Sequence, residues 1–277
     1  MQPSLPTRAI SRLLAAYLRF VPVSFGKWRL RTLLAPWLVA RLEPGPWIRV
    51  SGVSKFEWLV LTGEAGGERS TVKSFTQLLA PGDTMIDIGA NIGFFALIGA
   101  SIVGDSGRVV AFEPDPIVAD RARENASLNG MTNLAVVTSA VGAAPGTLQL
   151  HRGGWDSEGS SLYLQEPDAP GDVLVPVTTL DAWLETAGID RVAVLKIDAE
   201  GAELDIIAGA GQLLSRNDAP AIIIEANPVT LRAAGVTTAQ LRSALAAHGY
   251  VMTVIETMEW RGEMVENWLA RKGLVFT

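Results

Sequence analysis

The stretch MIDIGANIG, residues 85–93, decides the fold of this 277-residue chain. An apolar run that contains Asp87 leads into Gly89, and a second apolar run over residues 92–103 has the length of a helix. Gly89 lets the backbone turn tightly and approach a ligand, and Gly93 lets the new helix pack closely against the strand. The stretch therefore predicts a strand, a tight turn and a helix, with the Asp87 carboxylate at the end of the strand.

The glycine spacing excludes the usual dinucleotide pattern. The motif is Asp-x-Gly-x-x-x-Gly rather than Gly-x-Gly-x-x-Gly, because Asn91 occupies the position of the second phosphate-facing glycine. The lysine of a phosphate-binding loop is also absent from this stretch. The turn therefore suits a nucleotide-like ligand that carries no pyrophosphate.

A second acidic residue lies at the next predicted strand end. Glu113 follows Asp87 by 26 residues and precedes Pro114. An acid at this position can accept hydrogen bonds from both hydroxyls of a ribose. Two acids and no phosphate site fit S-adenosylmethionine, which has a ribose, a cationic sulfonium and an amino donor. The residues expected to hold this cofactor are Asp87, Gly89, Asn91, Gly93, Glu113 and Pro114.

Short apolar strands alternate with helical segments along most of the chain. The expected strands cover residues 84–88, 108–113, 134–138, 192–197, 221–225 and 251–256. Continuous apolar strands separated by helices indicate an α/β fold, a doubly wound and mostly parallel sheet with helices on both faces. Ligands of such sheets bind beyond the carboxyl ends of the strands. Residues 142–178 break the alternation and predict an antiparallel excursion.

The loop after the third strand of this sheet is a further candidate contact. Ser139 and Ala140 directly follow the strand expected at 134–138, at the place where an adenine would be held. Small residues are common in turns for backbone reasons alone, and that alternative stays open.

A second charged cluster, LKIDAEGAE at residues 195–203, joins the fourth strand to its helix. Lys196 and Asp198 share one face of the strand because side chains alternate. Charges at the end of a buried strand are costly unless they are paired or used in function. If the next strand is a neighbour, its last residue, Glu225, meets Lys196 or Asp198 beside the cofactor.

This cluster has three interpretations. The first is a set of catalytic residues, with Asp198 also touching the cofactor. The second is a buried ion-pair network that fixes the strand ends. The third is a metal-assisted site formed by Asp198, Glu200 and Glu225; ion pairing is the more common use of such acids, so no metal is predicted. The candidate catalytic residues are Asp198, Lys196, Glu200 and Glu225.

Together these motifs make the chain resemble the FkbM-type S-adenosylmethionine-dependent methyltransferases. The Lys-Ile-Asp-x-Glu-Gly string is the most specific element, and the resemblance covers roughly residues 60–255. The matching stretches are PGD at 81–83, DIGANIG at 87–93, FEP at 112–114, TLD at 179–181, LKIDAEGAE at 195–203, IE at 224–225 and HGY at 248–250.

The resemblance implies a Rossmann-like class I methyltransferase fold, with a seven-stranded sheet whose last strand is antiparallel. It also implies S-adenosylmethionine as the cofactor. The implied activity is methyl transfer to a hydroxyl oxygen of a sugar, a glycolipid or another small-molecule or natural-product acceptor. The acceptor itself does not follow from the motifs.

Each charged residue has an expected role in such a reaction. Asp198 is the first candidate for the general base or for positioning the acceptor, because a free alcohol is a weak nucleophile. Lys196 would stabilise the developing alkoxide or keep Asp198 ionised. Glu200 and Glu225 would orient the acceptor or Lys196. His151, in the excursion, is the rival base.

Two other functions remain as alternatives. A nicotinamide-dependent oxidoreductase would also use this fold, but the missing phosphate glycine and the lack of a tyrosine–lysine or histidine pair argue against it. A non-catalytic cofactor-binding module is the second alternative. The intact Asp87, Gly89, Gly93 and Glu113 argue against degeneration of the site.

Composition limits the remaining classes. The chain has no cysteine and two histidines, which excludes disulfides, thiolate catalysis and cysteine zinc sites. Residues 1–42 hold seven basic side chains and no Asp or Glu, so a total charge of −6 leaves −13 on the remainder. An acidic body argues against nucleic acid as a partner.

The basic N-terminus carries two patterns of apolar residues at helical spacing, which predict amphipathic helices. We expect residues 1–45 to form a helical extension and residues 46–277 to form the methyltransferase domain. The helices would cap the domain, pack in a homodimer or lie on an anionic membrane surface. With no secretion signal or bilayer-spanning run, the expected location is cytoplasmic, with peripheral membrane contact as an alternative.

Overall fold

The computed structural model describes residues 69–152, 160–164 and 171–273 without a break. Before them it describes residues 3–4, 7–11, 13, 38–42, 45–50, 57 and 60. The amphipathic helices predicted within residues 1–42 therefore lie largely outside the described residues.

Twenty helices and strands have defined bounds in the described part of the chain. In chain order they are β1 (Val39–Arg41), β2 (Trp47–Arg49), α1 (Arg69–Leu78), β3 (Thr84–Ile88), α2 (Phe94–Val103), β4 (Arg108–Phe112), α3 (Pro116–Leu128), β5 (Leu134–Val137), β6 (Ala140–Val141), β7 (Gly146–Leu150), β8 (Val173–Thr178), α4 (Leu180–Ala187), β9 (Val194–Ile197), α5 (Glu203–Gly209), α6 (Gly211–Ser215), β10 (Ala221–Ala226), α7 (Pro228–Ala233), α8 (Thr238–Ala247), β11 (Tyr250–Trp260) and β12 (Glu263–Lys272).

The central sheet has seven strands in the order β11-β12-β10-β9-β3-β4-β5. The five strands from β10 to β5 pair in parallel, and β12 is antiparallel to both β10 and β11. The predicted doubly wound, mostly parallel sheet with an antiparallel last strand is confirmed.

The parallel strands form because they are apolar on both faces. Met85 packs in one buried cluster with Phe75 and Leu97, while its neighbour Ile86 packs in a second cluster with Leu195. Side chains that alternate between two buried layers give the near-continuous apolar run of a sheet covered on both faces. Each fully buried aliphatic side chain contributes roughly 1.5–3 kcal/mol.

A crevice forms at the carboxyl ends of the central strands. The chain leaves β3 to form β4 on one side of it and later returns to form β9 on the other side. Because the chain continues to opposite sides of the sheet after neighbouring strands here, the loops that follow these strands move apart and leave a crevice. Ligands bind in such a crevice in open α/β sheets. The registers pair Asp87 with Lys196 and Ile88 with Phe112.

The excursion after β5 is a small sheet of its own, in the order β6-β8-β7. The expected antiparallel pairing is present between β7 and β8, whereas β6 runs parallel to β8. Within the described part of the excursion, Ser161 also forms a single antiparallel bridge with His151.

The end of the chain forms a long hairpin. The strand expected over residues 251–256 extends to Trp260, and β12 follows after a turn at Arg261 and Gly262. Both turn residues have positive φ, 52° and 78°, as type I′ hairpin turns require. The far end of this hairpin extends to the crevice.

The N-terminal part that the structure describes packs on α3. The side chains of Asn129 and Asn125 accept hydrogen bonds from Trp47 N and Arg49 N, each at 2.7 Å. The domain boundary predicted at residue 45 falls inside the β1–β2 hairpin. Within the described ranges, no helix combines the length and apolar character that a bilayer crossing needs.

Candidate active site

A cavity lies beyond the carboxyl ends of β3, β4, β9 and β10, where the fold predicts a ligand. Its polar lining comes from Asn91, Glu113, Ser139, Ser160, Lys196, Asp198, Glu200, Glu225 and Asn227. Its apolar lining includes Phe94, Phe95, Phe112, Leu150, Leu162, Met258, Trp260 and Val265.

The turn after β3 forms the floor of this cavity and is held by backbone contacts. Gly89 N and Ala90 N both donate to the carbonyl oxygen of Phe112, each at 3.0 Å. Gly89 has φ of 79°, and a Cβ atom there would lie 1.7 Å from the carbonyl oxygen of Asp198. Only glycine therefore lets the β3 turn and the β9 loop approach this closely.

Glu113 presents its carboxylate to the cavity from the end of β4. One carboxylate oxygen accepts a hydrogen bond from Asn91 N and the other from Asp115 N, each at 2.9 Å. Burial raises the pKa of Glu113 to about 7, although these two N–H groups oppose the shift. The two bonds fix the carboxylate in place while leaving further lone pairs on each oxygen.

The loop after Glu113 is tied to the excursion. Arg152 Nε lies 2.6 Å from Asp115 Oδ2, and Asp115 also accepts a hydrogen bond from Ile117 N at the start of α3. Pro114, between the two acids, lines the cavity. This ion pair holds the end of β7 beside the ribose-binding position that we expect.

Ser139 and Ala140 lie on the opposite side of Glu113. Both are buried, and both line the cavity. The Ser139 hydroxyl lies 2.9 Å from the carbonyl oxygen of Ala140 and 3.0 Å from that of Pro176 in β8. The hydroxyl proton of Ser139 is used in these contacts with the excursion. The surface that this segment offers to a ligand is therefore mainly backbone and methyl groups.

Lys196 lies between two carboxylates at the end of β9. Its Nζ atom is 3.0 Å from Asp198 Oδ2 and 3.9 Å from Asp87 Oδ1, and it lies over the ring of Phe95 at 4.6 Å. Asp87 is fully buried, and burial raises its pKa to about 6 against the attraction of Lys196. The ammonium group thus links Asp198 in the cavity wall to the buried Asp87 beneath it.

Two glutamates complete the acidic end of the cavity. Asp198, Glu200 and Glu225 each place one carboxylate oxygen within 4.8 Å of the other two. Burial, followed by repulsion from Asp198 and Glu200, raises the pKa of Glu225 well above its usual range. Glu200 has φ of 49°, and its carbonyl oxygen accepts a hydrogen bond from Ser161 Oγ at 2.6 Å.

Comparison with known protein families identifies the family to which this chain belongs. The model of the methyltransferase FkbM domain matches residues 87–252, more than half of the chain. The chain belongs to the FkbM methyltransferase family. The match begins at Asp87 and includes every strand from β4 to β10, so it contains both charged clusters of the cavity.

Three curated proteins illustrate the relatives of this FkbM domain. The 2-O-methyltransferase NoeI of Sinorhizobium fredii is 27% identical over 53% of this chain and 67% of its own length. The hexuronic acid methyltransferase AglP of Haloferax volcanii is 27% identical over 52% and 56%. The 31-O-demethyl-FK506 methyltransferase FkbM of Streptomyces tacrolimicus is 30% identical over 47% and 60%. The chain thus matches between about half and two thirds of each relative.

The FkbM domain brings together all but two of the site residues expected from the sequence. Asp87 and Gly93 do not line the cavity. Asp87 lies one layer beneath the wall, where it contacts Lys196. Gly93 precedes α2, and a Cβ atom there would meet Ala122 of α3 at 3.5 Å. Any effect of these two residues on a cofactor would therefore act through their neighbours.

His151, the rival base, is directed elsewhere. It does not line the cavity, and its Nδ1 atom lies 3.1 Å from Asp172 Oδ1. Its backbone pairs with Ser161. The geometry of the FkbM domain thus favours Asp198 over His151 as the group that faces an acceptor.

Sequence reasoning missed Glu203, which is buried with 2% of its surface exposed. Its carboxylate accepts hydrogen bonds from Ala199 N and Gly201 N at 3.0 Å. Burial raises the pKa of Glu203 to about 7. The loop of residues 199–201 folds back over this side chain and encloses it. No spacing in the sequence indicates this arrangement, because it depends on the path of the loop.

The hairpin wall of the cavity was also missed. Met258 and Trp260 from β11 and Val265 from β12 supply much of its apolar lining. The pair Arg261-Gly262 between two strand-forming segments is the signal that predicts a hairpin here. Together with Leu150 and Leu162 from the excursion, these residues surround the opening of the cavity.

Proposed function

We propose that this FkbM domain transfers a methyl group from S-adenosylmethionine to a hydroxyl oxygen of a sugar or a sugar-containing natural product. The observation that carries the proposal is a single cavity that holds the fixed Glu113 carboxylate at one end and the Lys196–Asp198 pair at the other. The names of the relatives, which specify a 2-O-methyltransferase and a hexuronic acid methyltransferase, support the sugar acceptor.

The residues of the cavity fit the cofactor. Glu113 would accept the ribose hydroxyls, because each of its oxygens has one backbone donor and capacity for more. Gly89, Asn91 and Pro114 would contact the cofactor from the turn and the β4 loop. Ser139 and Ala140 would face the adenine. When bound, S-adenosylmethionine supplies a methyl group activated by its positively charged sulfur.

Asp198 would accept the proton of the acceptor hydroxyl. Its carboxylate lies at the cavity surface, 32% exposed, and is hydrogen-bonded to Lys196 at 3.0 Å. Lys196 donates this hydrogen bond and so fixes the direction of the carboxylate. General base catalysis of this kind contributes typically about 10²–10⁴-fold to the rate.

Glu200 and Glu225 would orient the acceptor. Both lie within 4.8 Å of Asp198, and burial together with repulsion from Asp198 raises the pKa of Glu225 well above its usual range. A raised pKa favours the protonated carboxyl, which donates one hydrogen bond as well as accepting others, so Glu225 would bind a hydroxyl oxygen beside the one that reacts.

The proposal is tested by incubating the protein with methyl-labelled S-adenosylmethionine and fractions of glycans, lipid-linked sugars and small hydroxyl compounds. Mass spectrometry of the labelled product identifies the acceptor and the oxygen that carries the methyl group. Label on a hydroxyl oxygen supports the proposal. Binding of S-adenosylmethionine without turnover on any fraction would support the non-catalytic alternative, and tight binding of NADH would support the oxidoreductase.

A cytoplasmic location, peripheral membrane contact through residues 1–42 and a homodimer stay predictions. The seven basic side chains of that segment support contact with an anionic surface, because each contributes about 1 kcal/mol near such a membrane. Sedimentation with anionic liposomes, with and without residues 1–42, tests it. Equal sedimentation of both forms would contradict membrane contact.

A further inference from the structure

Among the residues that the structure describes, the acceptor end of the cavity has more acidic than basic side chains. Asp198, Glu200 and Glu225 cluster there, and the buried Asp87 lies just beneath them. Lys196 is the one basic residue among the lining residues that the structure describes, and it contacts both Asp198 and Asp87. Among the residues that the structure describes, three acidic side chains at the cavity and one beneath it thus surround one ammonium group.

The opposite wall is apolar and aromatic. Trp260 and Met258 extend from the hairpin, and Phe94 lies at the start of α2. A cavity with hydrogen-bonding groups on one side and an aromatic surface on the other suits a ring with hydroxyls at its edge and C–H groups on its face.

Membership of the family leaves the charge of the acceptor open. The relative named a hexuronic acid methyltransferase has, by its name, a sugar with a carboxylate as its substrate. An anionic acceptor needs a cationic partner in the site, because like charges brought together in a partly buried cavity are strongly disfavoured. In this chain the lysine of the cavity is already paired with carboxylates.

We propose that the acceptor is an uncharged sugar or polyol, and that Glu200 with Asp198 excludes acceptors that carry a carboxylate or phosphate near the reacting hydroxyl. The proposal rests on the proposed methyltransferase function and specifies its substrate class. Glu200 is the specificity-determining residue, because Asp198 is needed as the base and Glu225 is assigned to the hydroxyl beside the one that reacts. Its backbone is held in place by Ser161 and by the turn that follows it.

The experiment compares two matched acceptor pools. One contains methyl glycosides of glucose, galactose and mannose, and the other contains the corresponding uronic acid glycosides. Each pool is incubated with the full chain and methyl-labelled S-adenosylmethionine in the presence of EDTA. We expect kcat/KM to be at least about tenfold higher for the neutral pool, which corresponds to one like-charge contact of about 1.4 kcal/mol.

Variants identify the residue responsible. Glu200→Gln keeps the shape of the side chain and removes its charge, so we expect the preference for the neutral pool to narrow severalfold. Glu185→Gln, at an exposed position of α4 outside the cavity, is the matched control and should keep the full preference. An unchanged preference in Glu200→Gln would refute the role of Glu200.

Three results would overturn the proposal itself. The first is equal or faster methylation of the uronic acids in EDTA. The second is a preference for uronic acids that needs added Mg²⁺ or Mn²⁺, since a metal ion on the three carboxylates would reverse the local charge. The third is no methylation of either pool while a different hydroxyl compound is methylated. Failure of the protein to methylate any acceptor would instead contradict the underlying methyltransferase proposal.

Discussion

Lys196 Nζ lies 3.0 Å from Asp198 Oδ2, and the two side chains come from one strand end, two residues apart. Lys196 is 4% exposed, whereas Asp198 reaches the cavity surface. A hydrogen bond from a buried ammonium group to a partly exposed carboxylate fixes the direction of the carboxylate. The pair therefore holds Asp198, the base that we propose, at the cavity surface.

Asp198→Asn should lower kcat by about 10²–10⁴-fold, because the amide cannot take the hydroxyl proton. The side chain keeps its size, so the affinity for S-adenosylmethionine should change by no more than a few-fold. Turnover measured with labelled cofactor, together with calorimetric binding, checks both values. Asp218→Asn, an exposed position outside the cavity, is the control. Near-normal turnover in Asp198→Asn would remove this residue from the base role.

Glu113→Ala should weaken the binding of S-adenosylmethionine by about 10–150-fold, because a hydrogen bond to a charged group contributes roughly 1.5–3 kcal/mol. Isothermal titration calorimetry measures the change directly. Glu124→Ala, on the exposed face of α3, tests for a general effect of removing an acid. If the two variants bind equally well, Glu113 does not hold the ribose.

Cofactor affinity should also depend on pH through Glu113, whose pKa burial raises to about 7. Ribose hydroxyls donate to the ionised carboxylate, so binding must release a proton wherever the free protein holds one. Affinity should therefore fall below pH 7 by up to about tenfold per pH unit and level off above it. Calorimetry from pH 5.5 to 8.5 tests the profile. In Glu113→Gln, the part of the pH dependence of cofactor affinity that comes from Glu113 should vanish. A pH dependence that persists in this variant would point to another titratable group.

Some parts of the structure were predicted correctly from the sequence and others were not, and the difference has physical reasons. The strands from β3 to β10 followed from apolar runs bounded by glycine and acidic residues, because burial on both faces leaves a clear pattern. The ends of these strands placed Glu113, Lys196 and Asp198 in one cavity without further information. Chain connectivity alone does this, since the carboxyl ends of parallel strands share one edge.

Features that depend on tertiary contacts were predicted less well. Asp87 was expected to face the cofactor, but the register pairs it with Lys196, which covers it. The hairpin wall was missed because the predicted strand stopped at residue 256, short of Trp260 at the end of β11, and because alternation between buried and exposed side chains gives no information about a ligand. The burial of Glu203 was missed because spacing alone cannot show that a loop folds back over a side chain.

Glu203→Gln should test whether the buried Glu203 carboxylate holds the loop of residues 199–201 in place. The amide keeps one acceptor and turns an NH₂ group towards a backbone N–H, so at least one hydrogen bond is lost, at a cost of about 1–3 kcal/mol. We expect the melting temperature to fall by several degrees. We expect kcat to fall by about tenfold, the free-energy equivalent of roughly 1.4 kcal/mol. Affinity for S-adenosylmethionine should stay within about twofold, since the loop holds Glu200 rather than the ribose acid.

Glu185→Gln, at an exposed position of α4, is the matched control for that variant. A purely structural role for Glu203 predicts a lower melting temperature with unchanged kcat at a temperature where the variant is folded. That outcome would contradict a positioning role in the reaction.

Gly89→Ala should damage both stability and activity. The new Cβ atom would lie 1.7 Å from the carbonyl oxygen of Asp198, and the φ of 79° is itself unfavourable for alanine. The β9 loop must move to relieve the overlap, which shifts Asp198 and breaks the hydrogen bond from Asp198 N to the carbonyl oxygen of Ile88. We expect loss of turnover and a melting temperature more than about 5 °C lower, since backbone strain of this kind costs several kcal/mol. Gly146→Ala, where a Cβ atom meets nothing within 4 Å, should leave both unchanged, and equal behaviour of the two variants would contradict the close approach of the two loops.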